Sequence, residues 1–386
     1  MKNEERAPKR ISGKRKFLFL LIMVFLPLVG ALVIAEIVLR IVPVPGVKYS
    51  ISHFDALTGV SYYPGVINIY RNDRGDYAKT KINKWGYFDR EYTKEKAAGI
   101  TRIGFFGDSY TQALQVPLEE TFHFCVGDSL RKKGVETLSF GVSGFSTYQS
   151  YLTCNKWADF FDLDMIVYVF CENDLGDQVK SIKKYPAFPY PLLKDGKLTG
   201  DDSFKQLAKK KSRFYYRFFD YLKANLLVVN TLAERIQLLS RYGVKMNVNE
   251  KDRFMKRSET DSTVTIYPPN LDQSDDPSLW PDSLRTLAIN LETVVLLNWR
   301  NELAKKQKRF AVLYTPKNIL APPTEQNCWK PWLEKFCSQN GIPFIDPTAE
   351  LMNIQEQGND VYYDHYTRFG HQAVTRKFIS WYLLNF

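Results

Sequence analysis

Histidine is scarce in this chain: 386 residues contain four, His53, His123, His365 and His371. Cysteine is sparse as well, with five residues, Cys125, Cys154, Cys171, Cys328 and Cys337. No C-x-x-C pair occurs, and no cysteine or histidine run has the spacing of a zinc site, so the sequence implies neither a metal nor a redox cofactor. The scattered thiols, in apolar surroundings, read as buried free cysteines. A single Cys328–Cys337 disulfide stays open for an oxidising compartment. There is no internal repeat, which removes solenoids and arrays.

Charge of one sign is in excess, at a formal +11, which alone admits nucleic acid or an anionic surface as partner. Its distribution argues against nucleic acid. Residues 2–16 hold seven Lys or Arg and two Glu, so nearly half the excess sits in a short tail. Lysine-rich stretches such as 205–211 lie beside acids and read as solvated helix faces. With 45% hydrophobic and 25% charged residues, the composition suits a folded chain. The length fits a short anchor plus one large domain, or two modest domains.

Only one long apolar run exists. Residues 17–35 (FLFLLIMVFLPLVGALVIA) are nineteen uncharged positions, roughly 28 Å of helix, close to the hydrocarbon thickness of a bilayer. Glu36 interrupts, and the run continues to 39. The basic tail, 1–16, precedes it. The positive-inside rule then keeps the tail cytoplasmic and sends the remainder across the membrane. A cleaved signal peptide is the rival, with Val33-Ile34-Ala35 as a passable cleavage site.

Residues 40–100, rich in Tyr, Gly, Asn and Pro, read as a linker with short strands. From 101 the texture alternates. Strands are expected at 102–106, 135–140, 165–170, 309–314 and 342–345. Helices are expected at 119–133, 147–159, 284–305, 328–339 and 371–384. The run MIVYVF at 165–170 is continuously apolar, as in a parallel strand buried on both faces. Alternation of this kind predicts a doubly wound α/β sheet. It stops at about 176–283, an insertion with an aromatic, basic helical region at 204–242 and a polar stretch at 268–281. The insertion is either a cap over the site or a peripheral helical pair.

Three motifs stand at the ends of consecutive expected strands, where open parallel sheets gather their ligands. Gly107-Asp108-Ser109 follows the first, exposing a serine hydroxyl at a strand-to-helix turn. Gly141-Val142-Ser143-Gly144 follows the second, with glycines that let backbone approach a ligand. Glu172-Asn173-Asp174 follows the third, offering an amide donor suited to an oxyanion. Singly, each is more often a turn than a site; three in order at the ends of consecutive strands are much less readily an accident. A serine nucleophile needs a base. His53 lies in the linker and His123 on the helix after Ser109. The segment Tyr362-Tyr363-Asp364-His365-Tyr366 is a loop before the last helix and can present His365, whereas His371 starts that helix.

Taken together, these motifs resemble the SGNH (GDSL-like) hydrolases. The matching blocks are Gly107-Asp108-Ser109-Tyr110, Phe140-Gly141-Val142-Ser143-Gly144, Asn173-Asp174, and Asp364-His365 with Gly370-His371, in the family's order over about 102–384. The phrase GDSYTQALQVPLEETF is similar to membrane-anchored bacterial members. The resemblance implies a flavodoxin-like three-layer α/β/α fold with a short parallel sheet. It also implies Ser109 as nucleophile and an oxyanion hole from the Ser109 N–H, the Gly144 N–H and the Asn173 side chain. The family places an acid two or three residues before the histidine. Here Tyr363 is two before, Asp364 immediately before and Asp360 five before, so Asp364 leads as triad acid and Asp360 follows.

The expected function is serine esterase or acyltransferase chemistry on ester-linked acyl groups, acetyl foremost, of envelope or secreted polysaccharide. The expected partners are an acylated carbohydrate or other ester, the lipid bilayer through 17–39, and polysaccharide-export machinery as a candidate. Two rivals stand beside it. One is a lipase or thioesterase, with the aromatic segment 214–222 as a lipid-facing lid. The other is a non-catalytic polysaccharide-binding or assembly protein on a hydrolase scaffold.

Overall fold

Helix α1 (Gly13–Ile41) is continuous through Pro27. Its stretch Lys16–Ile41 is long and apolar enough to cross a bilayer and buries none of its apolar window against the protein. The structure, a computed structural model, describes residues 13–42, 52–72, 74–183, 185–194, 196–211, 213–242, 280–316 and 329–386. The basic tail up to residue 12, most of the polar stretch 268–281 and Cys328 of the candidate disulfide lie outside the described residues.

Two antiparallel hairpins follow: β1 (Ser52–Asp55) with β2 (Gly59–Tyr62), and β3 (Ile67–Arg71) with β4 (Tyr77–Lys81). The domain proper begins at β5 (Thr101–Gly107), then α2 (Ser109–Gln112), α3 (Phe122–Leu130), β6 (Val135–Gly141), α4 (Thr147–Trp157) and β7 (Met165–Cys171). The insertion contributes α5 (Asp174–Asp177), α6 (Lys180–Lys183), the hairpin β8 (Pro191–Lys194)–β9 (Lys197–Gly200), α7 (Phe204–Lys211), α8 (Phe214–Asn225) and α9 (Leu227–Tyr242). The chain closes with α10 (Asp282–Lys305), β10 (Arg309–Thr315), α11 (Lys330–Gln339), β11 (Phe344–Ile345), α12 (Thr348–Glu356), the small hairpin β12 (Tyr362–Tyr363)–β13 (His365–Tyr366) and α13 (Arg368–Asn385).

Five strands form one parallel sheet in the order β11-β10-β7-β5-β6. Numbered within the domain and read from the other edge, that order is 2-1-3-4-5, the flavodoxin-like winding, whose switch point lies between its first and third strands. Those strands are β5 and β7. All seven residues of β7 are buried, because helices cover both faces of the sheet. One face carries Phe106, Phe140, Tyr168 and Phe310 against Trp299 of α10 and the aromatic rings of α4. The other carries Phe105, Val167 and Leu313 against α3, α12 and α13. Truncating one of these aromatic side chains to alanine costs about 3–5 kcal/mol.

The segment ahead of the sheet is bound tightly to it. Arg102, buried on β5, donates to the carbonyls of Lys94, Glu95 and Phe161 at 2.8–2.9 Å. The Asp89 carboxylate accepts from the Ser139 N–H on β6 at 2.7 Å. Trp85 and Tyr92 meet Phe161 edge-on, and Tyr87 meets Phe140. Residues 52–92 therefore form a wall of the domain as well as a connection. On the same segment, Ile69 of β3 meets Leu227 of α9 and Leu39 of α1, and α9 packs against α1. The Val228 N–H donates to Glu36 at 2.9 Å, and Arg40 donates to the Asn225 carbonyl at 3.0 Å. Helix α8 has no buried residue and leaves Phe214, Tyr215, Phe218, Phe219 and Tyr221 exposed.

Candidate active site

Two glycines set the stage. A side chain at Gly107, the last residue of β5, would meet Thr111 Oγ1 at 2.3 Å and the Val169 carbonyl at 2.7 Å. One at Gly141, the last residue of β6, would meet the Gln112 backbone nitrogen at 2.3 Å. Their absence lets α2 lie across the carboxyl ends of β5 and β6. Asp108 caps α2 by accepting from the Tyr110 N–H at 2.9 Å, and Ser109 follows at the first helical position.

The histidine arrives from the other end of the chain. His365 lies on β13, paired with Tyr363 across the tight turn at Asp364, whose φ is +61°. Asp is among the few non-glycine residues that take this left-handed conformation readily. The hairpin is held by Tyr110, whose ring centroid is 5.0 Å from the imidazole and 5.1 Å from Tyr366. Tyr366 also donates its hydroxyl to the Pro316 carbonyl at 3.0 Å. The result is a 2.8 Å hydrogen bond between His365 Nε2 and Ser109 Oγ. Nδ1 of the same ring is 3.2 Å from Asp364 Oδ2. One tautomer satisfies both contacts: Nδ1–H donates to Asp364, and Nε2 accepts from the serine hydroxyl. That places an unprotonated ring nitrogen within hydrogen-bond reach of the serine proton. The hydroxyl has a second acceptor, Asp108 Oδ2, but at 3.5 Å that contact is at the limit for a hydrogen bond.

Asp360, the alternative acid, turns elsewhere and bonds Arg74 at 3.1 Å. Asp364 is the carboxylate beside the imidazole, though its side chain is 68% exposed. The remaining histidines stand apart. His371 is buried in the first turn of α13 and accepts from the Phe122 N–H at 3.4 Å. Burial, with His365 nearby, holds its imidazole down at about 3. His123 is buried 3.7 Å from Asp89, and burial likewise lowers it far below the usual range. His53 bonds the Phe54 carbonyl in the β1–β2 hairpin.

The third group of donors stands at the switch point. Gly144 has φ +77° at the third position of the turn Val142–Phe145, closed by the Phe145 N–H to the Val142 carbonyl at 3.1 Å. Glycine suits that position because a type II turn requires positive φ there. Asn173 follows β7, and its Nδ2 is 3.1 Å from Asp108 Oδ2, the same oxygen that approaches Ser109 Oγ. Its other hydrogen goes to Asp177 Oδ2 at 3.2 Å. Both amide hydrogens are thus engaged, so donation to an oxyanion means leaving one of these carboxylates. Burial pushes the Asp108 carboxyl up, partly offset by the Tyr110 N–H and Asn173 bonds.

Behind this lies a buried polar network. Asp174 Oδ2 accepts from the Tyr168 hydroxyl at 2.6 Å and from the Cys171 N–H at 3.0 Å. Thr147 lies 2.7 Å from the Tyr168 hydroxyl and donates to Glu292 on α10 at 2.7 Å, and Gln178 donates to the same Glu292 oxygen at 2.6 Å. Burial pushes Asp174 well above the usual carboxylate range and Glu292 up to about 7. Glu292, Thr147 and Tyr168 carry no site role in the sequence. Glu292 alone had a legible signal: it is a charge in the apolar stripe Ala288, Leu291, Val295, Trp299. Among the described residues, no group of three or more His, Cys, Asp or Glu is arranged to hold a metal ion.

No family model matches the sequence, and no curated protein matches it. Solved structures do align with the chain. One is the psychrotrophic esterase EstA from Pseudoalteromonas sp., at 9% identity and TM-score 0.35, covering 74% of this chain and 100% of that one. A second is a catalytic mutant of Axe2, an acetylxylan esterase from Geobacillus stearothermophilus, at 10% identity and TM-score 0.39, covering 74% and 95%. A third is a member of the lipolytic protein G-D-S-L family from Veillonella parvula, at 12% identity and TM-score 0.35, covering 72% and 97%.

Proposed function

We propose that this chain is a serine esterase or acyltransferase of the SGNH type, acting through an acyl-serine at Ser109. The observation that carries the proposal is the 2.8 Å bond from Ser109 Oγ to His365 Nε2 at the carboxyl end of the sheet. His365 takes the hydroxyl proton as Oγ adds to the ester carbonyl. The Ser109 and Gly144 N–H groups and Asn173 Nδ2 hold the oxyanion. Among the described residues, neither of those two N–H groups donates to another protein group. The imidazolium then protonates the departing alcohol. The acyl-serine passes its acyl group to water, or to a second hydroxyl activated by the same imidazole.

The substrate in this reading is an acyl ester, acetyl foremost, on envelope or secreted polysaccharide. The chain is held to the membrane by α1, with its basic tail cytoplasmic and the domain outside. The exposed aromatic residues of α8, next to the α9 helix that packs on α1, support that placement, because aromatic side chains favour the membrane interface.

The test is turnover of p-nitrophenyl acetate by the full chain in detergent, beside Ser109→Ala and His365→Ala. The wild type is expected to hydrolyse it and both variants to lose at least about a thousandfold. Equal turnover by all three proteins overturns the proposal.

A further inference from the structure

The chain returns to its own membrane helix. Val29, Val33 and Ile37 of α1 line one apolar groove with Leu226, Val228 and Val229, at the turn from α8 into α9. Val29 stands twelve residues before the end of α1 at Ile41, so the groove reaches about 18 Å down the helix at 1.5 Å per residue. A segment that packs at that depth on a spanning helix lies within the bilayer. We propose that α8 and the first turn of α9 are a second membrane contact, seated in phospholipid beside the C-terminal half of α1. The proposal rests on the reading of α1 as a membrane span and names the bilayer itself as the partner of α8.

Hydrocarbon offers no partner to a free backbone group, and the turn between two helices has several. Side chains of α1 satisfy two of them. Glu36 accepts from the Val228 N–H, in the first turn of α9, at 2.9 Å, and Arg40 donates to the Asn225 carbonyl, at the end of α8, at 3.0 Å. Arg40 also donates to Glu36 at 2.9 Å. The acid that interrupts the apolar run of α1 is therefore paired where it stands, and its second oxygen caps the helix that comes back to meet it.

Helix α8 is turned the wrong way for water. Phe214, Tyr215, Phe218, Phe219 and Tyr221 are exposed, Phe214 by 82%, and their spacing at i, i+1, i+4, i+5 and i+7 puts them on one stripe. The other side is polar and faces the protein. There Asp220 and Lys223 pair at 2.8 Å and are partly buried, and burial and the nearby Asp220 carboxylate push the Tyr63 hydroxyl up, with Arg217 opposing. A helix of a soluble domain buries its apolar stripe. This one holds it outward, as does a helix lying in a membrane interface. The contact also sets where catalysis takes place. Ile69 of β3 packs on Leu227 and Leu39. Five residues on, at most about 17 Å of extended chain, Arg74 bonds Asp360 and covers the Tyr363 ring, which pairs with His365. The His365 loop is thus held close above the bilayer surface.

The experiment places the full chain in phosphatidylcholine–phosphatidylglycerol vesicles with p-benzoylphenylalanine at one position at a time. The positions are Phe218 and Tyr221 on α8, Phe25 on α1, and Lys305, exposed at the amino end of the sheet. At Phe218 and Tyr221 one exposed aromatic ring replaces another, so the fold is undisturbed. Irradiation joins the benzophenone to a C–H bond that it touches, and digestion with mass spectrometry identifies what has been captured. Phospholipid adducts are expected at Phe25, Phe218 and Tyr221, and at least about tenfold fewer at Lys305, because the apolar face of an interfacial helix reaches the acyl chains. Lipid adducts at Phe25, with none above the Lys305 level at Phe218 and Tyr221, overturn the α8 contact and leave the span standing. So does capture of a second copy of the chain in place of lipid at Phe218 and Tyr221. Absence of lipid adducts at Phe25 overturns the span reading itself.

Discussion

Replacing Asp364 with alanine removes the carboxylate 3.2 Å from His365 Nδ1. In a buried serine triad, loss of the acid's charge lowers kcat by about 10⁴. Here the carboxylate is two-thirds in solvent, at 68% exposure, where water screens it. Exposed ion pairs are worth about 0.2–1 kcal/mol, so the imidazolium formed in the transition state loses at most about fivefold in rate from that source. Some loss of orientation adds to this, but the ring also packs 5.0 Å from Tyr110 on a hairpin pinned by Tyr366. The total expected is about five- to thirty-fold in kcat for p-nitrophenyl acetate, with KM nearly unchanged. Asp360→Ala, which removes a partner of Arg74 rather than of the imidazole, should stay within about twofold of wild type on this small ester. Two results would refute the reasoning. A loss beyond about a thousandfold for Asp364→Ala would mean that the acid acts from a buried position. A larger loss for Asp360→Ala than for Asp364→Ala would mean that the wrong carboxylate has been placed beside the base.

Asn173→Ala should lower kcat by about 10²–10³, the usual effect of deleting an oxyanion donor. It should also destabilise the fold by about 1–3 kcal/mol, because Asp108 Oδ2 loses a buried partner; steady-state kinetics and urea titration read the two effects separately. Gly141→Ala places a methyl group 2.3 Å from the Gln112 backbone nitrogen. It should displace α2, cost about 1–3 kcal/mol and reduce activity, whereas an unchanged urea midpoint would contradict the close packing. Glu292 carries a pH dependence. Burial raises it from 4.5 to about 7, so between those values the folded chain holds a proton that the unfolded chain has released. Its favourable contribution is complete below about pH 4.5 and is lost as pH rises through 7. Glu292→Gln has no proton to lose and should gain on wild type by up to roughly 3 kcal/mol from pH 4.5 to 8. A pH-independent difference in urea midpoint between the two proteins would rule this out.

The sheet was legible because its strands are local signals. MIVYVF has no polar position to hide, and all seven residues of β7 are buried. The strands at 102–106, 135–140 and 309–314 appear as Thr101–Gly107, Val135–Gly141 and Arg309–Thr315. The edge strand expected at 342–345 shrinks to Phe344–Ile345, the two residues in paired register with β10, while Pro343 reaches β10 only by accepting from the Val312 N–H. The last helix starts at Arg368, capped by Thr367, three residues before its expected start. Helix 119–133 narrows to Phe122–Leu130 between two short 3₁₀ turns. The β8–β9 hairpin carries an Asp-Gly turn signal in its sequence at 195–196, and α12 has no strong apolar period to announce it. Serine, glycine turn, asparagine and histidine were legible through their places at strand ends and in the last loop. The packing of Tyr62 and Arg74 was not. Tyr62 meets Phe88 edge-on at 5.0 Å, and Arg74 reaches Asp360 across 286 positions of chain. Such contacts follow from tertiary folding and leave no period in a stretch that reads as a tyrosine- and glycine-rich link.

Labelling by a fluorophosphonate tests the central claim most directly. A serine hydroxyl that gives its proton to a neighbouring imidazole attacks phosphorus, the P–F bond breaks with release of fluoride, and the serine retains the phosphonyl group, which intact mass with peptide mapping locates. The full chain in detergent should gain one adduct, on Ser109, formed much more slowly in His365→Ala and not at all in Ser109→Ala. An adduct on another residue, or labelling of Ser109 at the same rate without the His365 imidazole, would contradict the pairing of these two side chains.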